Sequence, residues 1–244
     1  GDRDAEGFWD AFLSGTVDRD DGDGDEGNVI DAGAGDDAVL AGPGNDIVDG
    51  GADSDDILGM GGDDVLLGGT GRDRLLGDGP IGPDEGLVID APGLAHGADT
   101  LVGGAGNDVL LGQGNDDVIY GGADDDVIWG DDRDSGSTPT EFHGADTLFG
   151  GDGSDSIVGG GRADQLFGED GADSLWGDSG AALAGSPQYI APDQHGDDAL
   201  DGGAGDDYLQ GEGGADTLIG GAGADTLLGD SAESLLAAQY HGDD

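Results

Sequence analysis

A period of nine residues governs this chain and leaves it few architectures. Residues 32–228 divide into nonapeptides of the form G-G-x-G-x-D-x-U-x, where U is a large aliphatic residue; clear copies occupy 50–58, 103–111, 150–158 and 220–228. Setting aside three insertions, seventeen copies run without a gap. Their sixth position is always Asp: Asp37, Asp46, Asp55, Asp64, Asp73, Asp99, Asp108, Asp117, Asp126, Asp146, Asp155, Asp164, Asp173, Asp198, Asp207, Asp216 and Asp225. The eighth is always Val, Ile or Leu. The first is Gly except at Ala32 and Ala41, and the fourth is Gly except at Asp53, Asn115, Asp124 and Arg162.

Glycine at positions one, two and four lets the backbone take positive φ and turn sharply. Positions seven to nine then read as a three-residue strand whose alternation points position eight to one side. Two nonapeptides make one coil of 18 residues with two turns and two strands. Coils stacked by parallel pairing at about 4.8 Å give a rod on the order of 40 Å long. The expected fold class is all-β, a parallel β-roll or β-solenoid whose position-eight side chains meet in a narrow aliphatic core. The expected divisions are an N-terminal flank or cap over 1–31, the roll over 32–228, and a truncated next repeat over 229–244.

Such a core is too thin to order the chain unaided, and stacked carboxylates oppose it. Of 57 acidic residues 50 are Asp, against six basic residues, all Arg, for a formal net charge of −51. Asp rather than Glu suits tight turns and metal sites, because the short carboxylate reaches its own backbone. A divalent cation between neighbouring turns would neutralise Asp pairs and organise turn carbonyls, so that binding energy acts as folding energy. The absence of Cys excludes disulfides and thiolate sites, and all-oxygen ligands in a flexible turn favour Ca²⁺ over Zn²⁺ or Mg²⁺. Nine odd-numbered and eight even-numbered turns offer at most about 15 inter-turn slots. The negative charge argues against nucleic acid or an anionic membrane as partner. No apolar run approaches the roughly 18 residues of a membrane span.

These residues resemble the repeats-in-toxin (RTX), or haemolysin-type calcium-binding, family; GGAGNDVLL at 103–111 and GGAGDDYLQ at 202–210 match its pattern throughout. The resemblance implies a parallel β-roll with Ca²⁺ in the turns, held by the sixth-position Asp carboxylates and turn carbonyls. It also implies export by a type I secretion apparatus, with folding outside the cell, and hence a secreted, extracellular or bacterial cell-surface location. The family spans toxins, proteases, lipases, epimerases, adhesins and surface-layer proteins, so the repeat identifies a module and leaves the parent's activity open.

Three insertions, at 79–95, 132–142 and 179–194, fall between positions two and three of their repeats. Each follows Gly-Asp and returns at His-Gly, and a fourth begins after Gly229-Asp230 and returns at His241. They recur every four nonapeptides, so all four should leave one edge of the roll about 9.6 Å apart. His96, His143, His195 and His241 mark the returns. Ligands of one zinc lie within about 2 Å of it, so a 9.6 Å ladder cannot share an ion and a role at the loop base is favoured. The loops read as a comb-like binding edge or as tolerated insertions, the latter favoured.

Position nine is apolar in 14 of 17 copies, with Tyr120, Trp129, Phe149, Phe167 and Trp176 clustered mid-chain. By alternation these face outward, either as a ladder for a glycan or protein partner or as cross-strand packing, the second favoured. Residues 23–31 read as a decayed copy, and Phe8, Trp9, Phe12 and Leu13 as a cap or as the tail of a preceding domain. The acidic run at 18–26 fails the EF-hand pattern, since Glu26 stands where Gly is required and Ala32 where Glu is. No Ser–His–Asp arrangement, HExxH helix or phosphate loop appears. The expected function is a monomeric, non-enzymatic, calcium-dependent folding module of a longer secreted protein. The alternatives are a glycan- or ligand-binding adhesin or surface-layer segment, or the C-terminal module of a secreted toxin or hydrolase whose active site lies elsewhere.

Overall fold

The computed structural model describes residues 16–17, 27–78, 97–131, 143–178 and 195–230. These residues form strands, turns and bends, with no helix among them. One ten-stranded sheet contains β1 (Thr16–Val17), β2 (Val29–Ala34), β4 (Ile47–Ala52), β6 (Val65–Thr70), β8 (Thr100–Ala105), β10 (Val118–Ala123), β12 (Thr147–Asp152), β14 (Gln165–Asp170), β16 (Ala199–Asp201) and β18 (Thr217–Ile219), in that spatial order. The nine-stranded sheet runs β3 (Ala38–Pro43), β5 (Asp56–Gly61), β7 (Arg74–Asp78), β9 (Val109–Leu111), β11 (Val127–Trp129), β13 (Ser156–Val158), β15 (Ser174–Trp176), β17 (Tyr208–Glu212) and β19 (Thr226–Asp230). Chain order alternates between the sheets from β2 onward, and every pairing beyond β1 is parallel and in register, as in Ile119↔Leu148 and Leu148↔Leu166. That is a parallel β-roll.

The core is the position-eight row. Val39, Val48, Ile57, Leu66, Leu75, Leu101, Leu110, Ile119, Ile128, Leu148, Ile157, Leu166, Leu175, Leu200 and Leu209 form one buried cluster; Leu218 packs against it half-buried and Leu227, in the last described coil, is exposed. Ile30 joins the cluster, and its strand pairs Ile30↔Val48, so the stacked strands begin at Val29, before the first complete repeat. The Phe8, Trp9, Phe12 and Leu13 cap lies outside the described residues, as do the insertions, His96 and His241.

Three local expectations need correction. Many strands are six residues long, not three, because positions one to three continue the ladder after the core residue; Gly51↔Gly69 and Ala52↔Thr70 extend the pairing that begins at Ile47↔Val65. Glycine at position one is required for space and not for φ: a Cβ on Gly103 would lie 2.5 Å from Asp108 Oδ2 and 2.6 Å from the Gly121 carbonyl oxygen. Positive φ belongs to positions two and four, and there the fold imposes it even on Met60 (φ 91°) and Asp53 (φ 77°).

The third concerns position nine. In the ten-stranded sheet these side chains are exposed or half-buried, and Tyr120, Phe149 and Phe167 stack at 4.9 Å with interplanar angles of 5° and 10°. In the other sheet Leu58 and Leu76, joined by Met60 of position two, and Trp129, Val158 and Trp176 are buried in two clusters apart from the main core, while Leu40, Leu111 and Gln210 are half-buried and Leu228 is exposed.

Candidate metal ladders

The alternation of sheets sorts the seventeen aspartates into two columns of turns. Asp37, Asp55, Asp73, Asp108, Asp126, Asp155, Asp173, Asp207 and Asp225 form one; Asp46, Asp64, Asp99, Asp117, Asp146, Asp164, Asp198 and Asp216 form the other. Within each column the backbone N–H of one Asp donates to Oδ1 of the Asp one coil further on. Asp55 N–H to Asp73 Oδ1 (2.8 Å), Asp117 N–H to Asp146 Oδ1 (2.8 Å) and Asp173 N–H to Asp207 Oδ1 (2.9 Å) are examples. The links persist across the insertions, as from Asp64 to Asp99 and from Asp164 to Asp198.

Oδ1 is thus satisfied, and Oδ2 is not. In every ladder member from Asp46 to Asp207, Oδ2 is buried and meets no hydrogen-bond donor among the described residues. It faces acceptors instead: Asp108 Oδ2 and the Gly121 carbonyl oxygen of the next coil converge over the Gly103 Cα, and Asp155 and Gly168 repeat the arrangement over Gly150. Two acceptor oxygens facing each other without a hydrogen between them are costly unless a cation or a proton joins them. The donors are all oxygen, as a hard divalent cation requires. No three His, Cys, Asp or Glu side chains converge on one point among the described residues, so backbone carbonyls would have to complete any coordination shell.

Without a cation the carboxyls move toward the protonated form. Burial, with smaller contributions from nearby carboxylates, pushes Asp55, Asp108, Asp155 and Asp173 up to about 6 and Asp126 up to about 7. Four members of the other column, Asp99, Asp117, Asp164 and Asp198, are raised further. Burial and the nearby charge of Asp78 take Asp99 to about 9, and burial with Asp178 takes Asp198 to about 8. Asp117 and Asp164 are raised well above the ordinary carboxylate range, by burial first and then by the charges of their ladder neighbours.

Deeper burial sets this column apart, and a second set of carboxylates at the loop bases adds to it at Asp99 and Asp198. Asp78, Asp131 and Asp178 occupy position two of the interrupted repeats and are buried. Asp78 ends β7, and Asp131 and Asp178 follow β11 and β15; these are every second strand of the nine-stranded sheet, and the chain returns into β8, β12 and β16 of the other sheet. The bases of the three loops therefore lie along one edge. Asp178 Oδ1 accepts the Gly196 N–H (3.0 Å), and Oδ2 accepts the Gly213 N–H of the next coil (3.0 Å) and lies 2.6 Å from His195 Nδ1. Asp131 repeats this with Gly144 (3.1 Å) and Gly161 (2.7 Å), with His143 Nδ1 at 3.4 Å. Asp78 accepts the Gly97 N–H at 3.1 Å. The two described return histidines thus sit at the clasp that closes the loop base. The repeated Gly-Asp…His-Gly phrase was the signal for this clasp, although sequence reasoning had assigned the Asp no role.

A further ladder went unread at position five. Asp116 Oδ1 accepts the Ala145 N–H (2.9 Å), Asp125 the Ser154 N–H (2.9 Å) and Asp206 the Ala224 N–H (2.8 Å). These bonds run from the later coil to the earlier one, opposite in sense to the position-six links, so each turn column is stitched in both directions. The signal was an Asp at five followed one coil later by Ala or Ser.

Comparison with protein families matches the RTX calcium-binding nonapeptide repeat at residues 22–57, 49–79, 97–128, 144–161, 149–181 and 196–227. Comparison with curated proteins gives no match. The matched segments cover most of the described coils, in which buried carboxylate oxygens without a donor lie beside turn carbonyls. By its repeats and by its roll, the chain belongs to the RTX calcium-binding nonapeptide-repeat family.

Proposed function

We propose that the chain is a calcium-triggered folding module of a secreted RTX protein, and that the sixth-position aspartates are its ligands. The observation that carries this reading is the row of buried Oδ2 atoms from Asp46 to Asp207, each without a donor. The sixth-position carboxylates and neighbouring turn carbonyls would hold Ca²⁺, which would supply the positive charge that these acceptors lack. The chain's own part is to hold Oδ1 fixed through the N–H of the preceding coil, so that Oδ2 is aimed before any ion arrives. Fifteen Asp-to-Asp links join successive coils, eight in one column and seven in the other. That number matches the slots expected from the repeat, and filling them would take the net charge of −51 to about −21.

Outside the cell such a module would be a stiff rod; in a calcium-poor cytosol it would stay unfolded, which suits passage through a type I secretion apparatus. In this reading it is a binding and folding module and not an enzyme: the aspartates lie along two lines and do not converge on a reacting atom. The stack of Tyr120, Phe149 and Phe167 turns ring faces toward one another, a geometry that stiffens the sheet.

The test is far-UV circular dichroism in chelator followed by a Ca²⁺ titration, with Mg²⁺ as control. A cooperative coil-to-β transition with Ca²⁺ alone is expected. A β spectrum that persists in chelator would show that packing suffices and would overturn the reading.

A further inference from the structure

The loop-bearing column has eight Asp rungs and one rung that is not Asp. Asn28 occupies position six of the incomplete repeat at 23–31, one coil before Asp46. Its backbone N–H donates to Asp46 Oδ1 at 2.5 Å, the same bond that each Asp makes to the next. Its side chain differs in one respect. Where an Asp directs an acceptor oxygen at the position-one carbonyl of the following coil, Asn28 directs its Nδ2 at the Ala41 carbonyl oxygen, 3.2 Å away. An amide facing a carbonyl presents its NH₂, since the reversed orientation would set two acceptors against each other. The hydrogen bond that the side chains of the rungs from Asp46 to Asp198 lack is present here.

The edge beyond this rung is also closed differently. β1 pairs with β2 antiparallel, Thr16↔Asp31 and Val17↔Ile30, so the parallel stacking that repeats the turn does not continue past Asn28.

We infer that Asn28 terminates the ion ladder: its amide occupies the place an ion takes between later coils, and the link from residue 28 to Asp46 carries no calcium. The inference rests on the ligand assignment proposed above. Asn28 acts as a positioning residue that holds Asp46 Oδ1 and satisfies the Ala41 carbonyl with a hydrogen it carries itself. One-residue chemistry therefore sets where the row of ions stops, and changing it should move that boundary by one coil.

The test counts Ca²⁺ per chain by native mass spectrometry and by equilibrium dialysis at saturating calcium, for the wild type, Asn28→Asp and Asn28→Ala. Asn28→Asp is expected to bind one ion more than the wild type, because it restores the facing acceptor pair. Asn28→Ala is expected to bind the same number as the wild type and to melt at a lower temperature. An unchanged count in a folded Asn28→Asp would overturn the inference, as would the loss of one ion in Asn28→Ala, which would make Asn28 a ligand. If Asn28→Asp does not fold, the count in Asn28→Ala decides alone. A wild type that binds no calcium would remove the ligand assignment itself, and that outcome is read before either variant is compared.

Discussion

At the scale of single residues, each conserved-looking slot of the nonapeptide answers a different physical demand. Position one is small because a carboxylate oxygen and a carbonyl from the next coil crowd its Cα. Gly103→Ala should therefore destabilise the calcium-loaded roll by about 1–3 kcal/mol, in the range of overpacking a site whose neighbours cannot withdraw. The Gly121 carbonyl is held by the sheet ladder, so only the coil itself can yield. Thermal unfolding at saturating Ca²⁺ reads the effect, and an unchanged melting temperature would show that the cradle has slack. Position four tolerates Asp53, Asn115 and Asp124 more readily than Arg162, because short polar side chains can bond their own backbone in the left-handed region.

At the scale of the elements, the roll is a stack in which each coil touches only its neighbours, so any device that spans coils matters more than its size suggests. The Asp clasp is such a device. Asp178 joins the loop return at Gly196 and His195 to the next coil at Gly213, and it is fully buried. Asp178→Ala leaves those N–H groups without their acceptor, at a cost of about 2–4 kcal/mol for buried donors. The loss should be local: hydrogen exchange in β16, β18 and β19 should quicken while β6, β8 and β10 keep their protection. Uniform loss across the roll would mean that the stack unfolds as one unit and that the clasp has no regional role.

At the scale of the whole molecule, the governing quantity is like charge gathered into two lines. Folded-state carboxyls raised to between about 6 and 9 lie above the unfolded value of 3.8, so the metal-free roll binds protons that the unfolded chain releases. That contribution to stability is fully present below the unfolded value, near pH 4, and is lost as pH rises through the folded values. In calcium-free buffer β content should therefore be greatest near pH 4 and decline toward pH 9, as followed by far-UV circular dichroism. Saturating Ca²⁺ should reverse the trend, because the ion binds the ionised carboxylate and its affinity grows as protons leave. A metal-free chain whose β content rises with pH would contradict the burial of these groups.

The sequence alone determined the periodic facts: the roll, the core row from Val39 to Leu209, the sorting of aspartates by alternate repeats, and the shared edge of the loop bases. Each follows from a fixed period acting on backbone geometry, which needs no knowledge of what lies one coil away. Tertiary structure decided what depends on the neighbouring coil. It assigned position one to steric need, because the obstructing carbonyl belongs to a residue 18 positions on. It separated the buried position-nine residues of one sheet from the exposed stack of the other, which local alternation treats alike. It gave Asp78, Asp131 and Asp178 their clasps, and it set Asn28 against the Ala41 carbonyl, because a hydrogen bond between coils exists only once the coils are stacked.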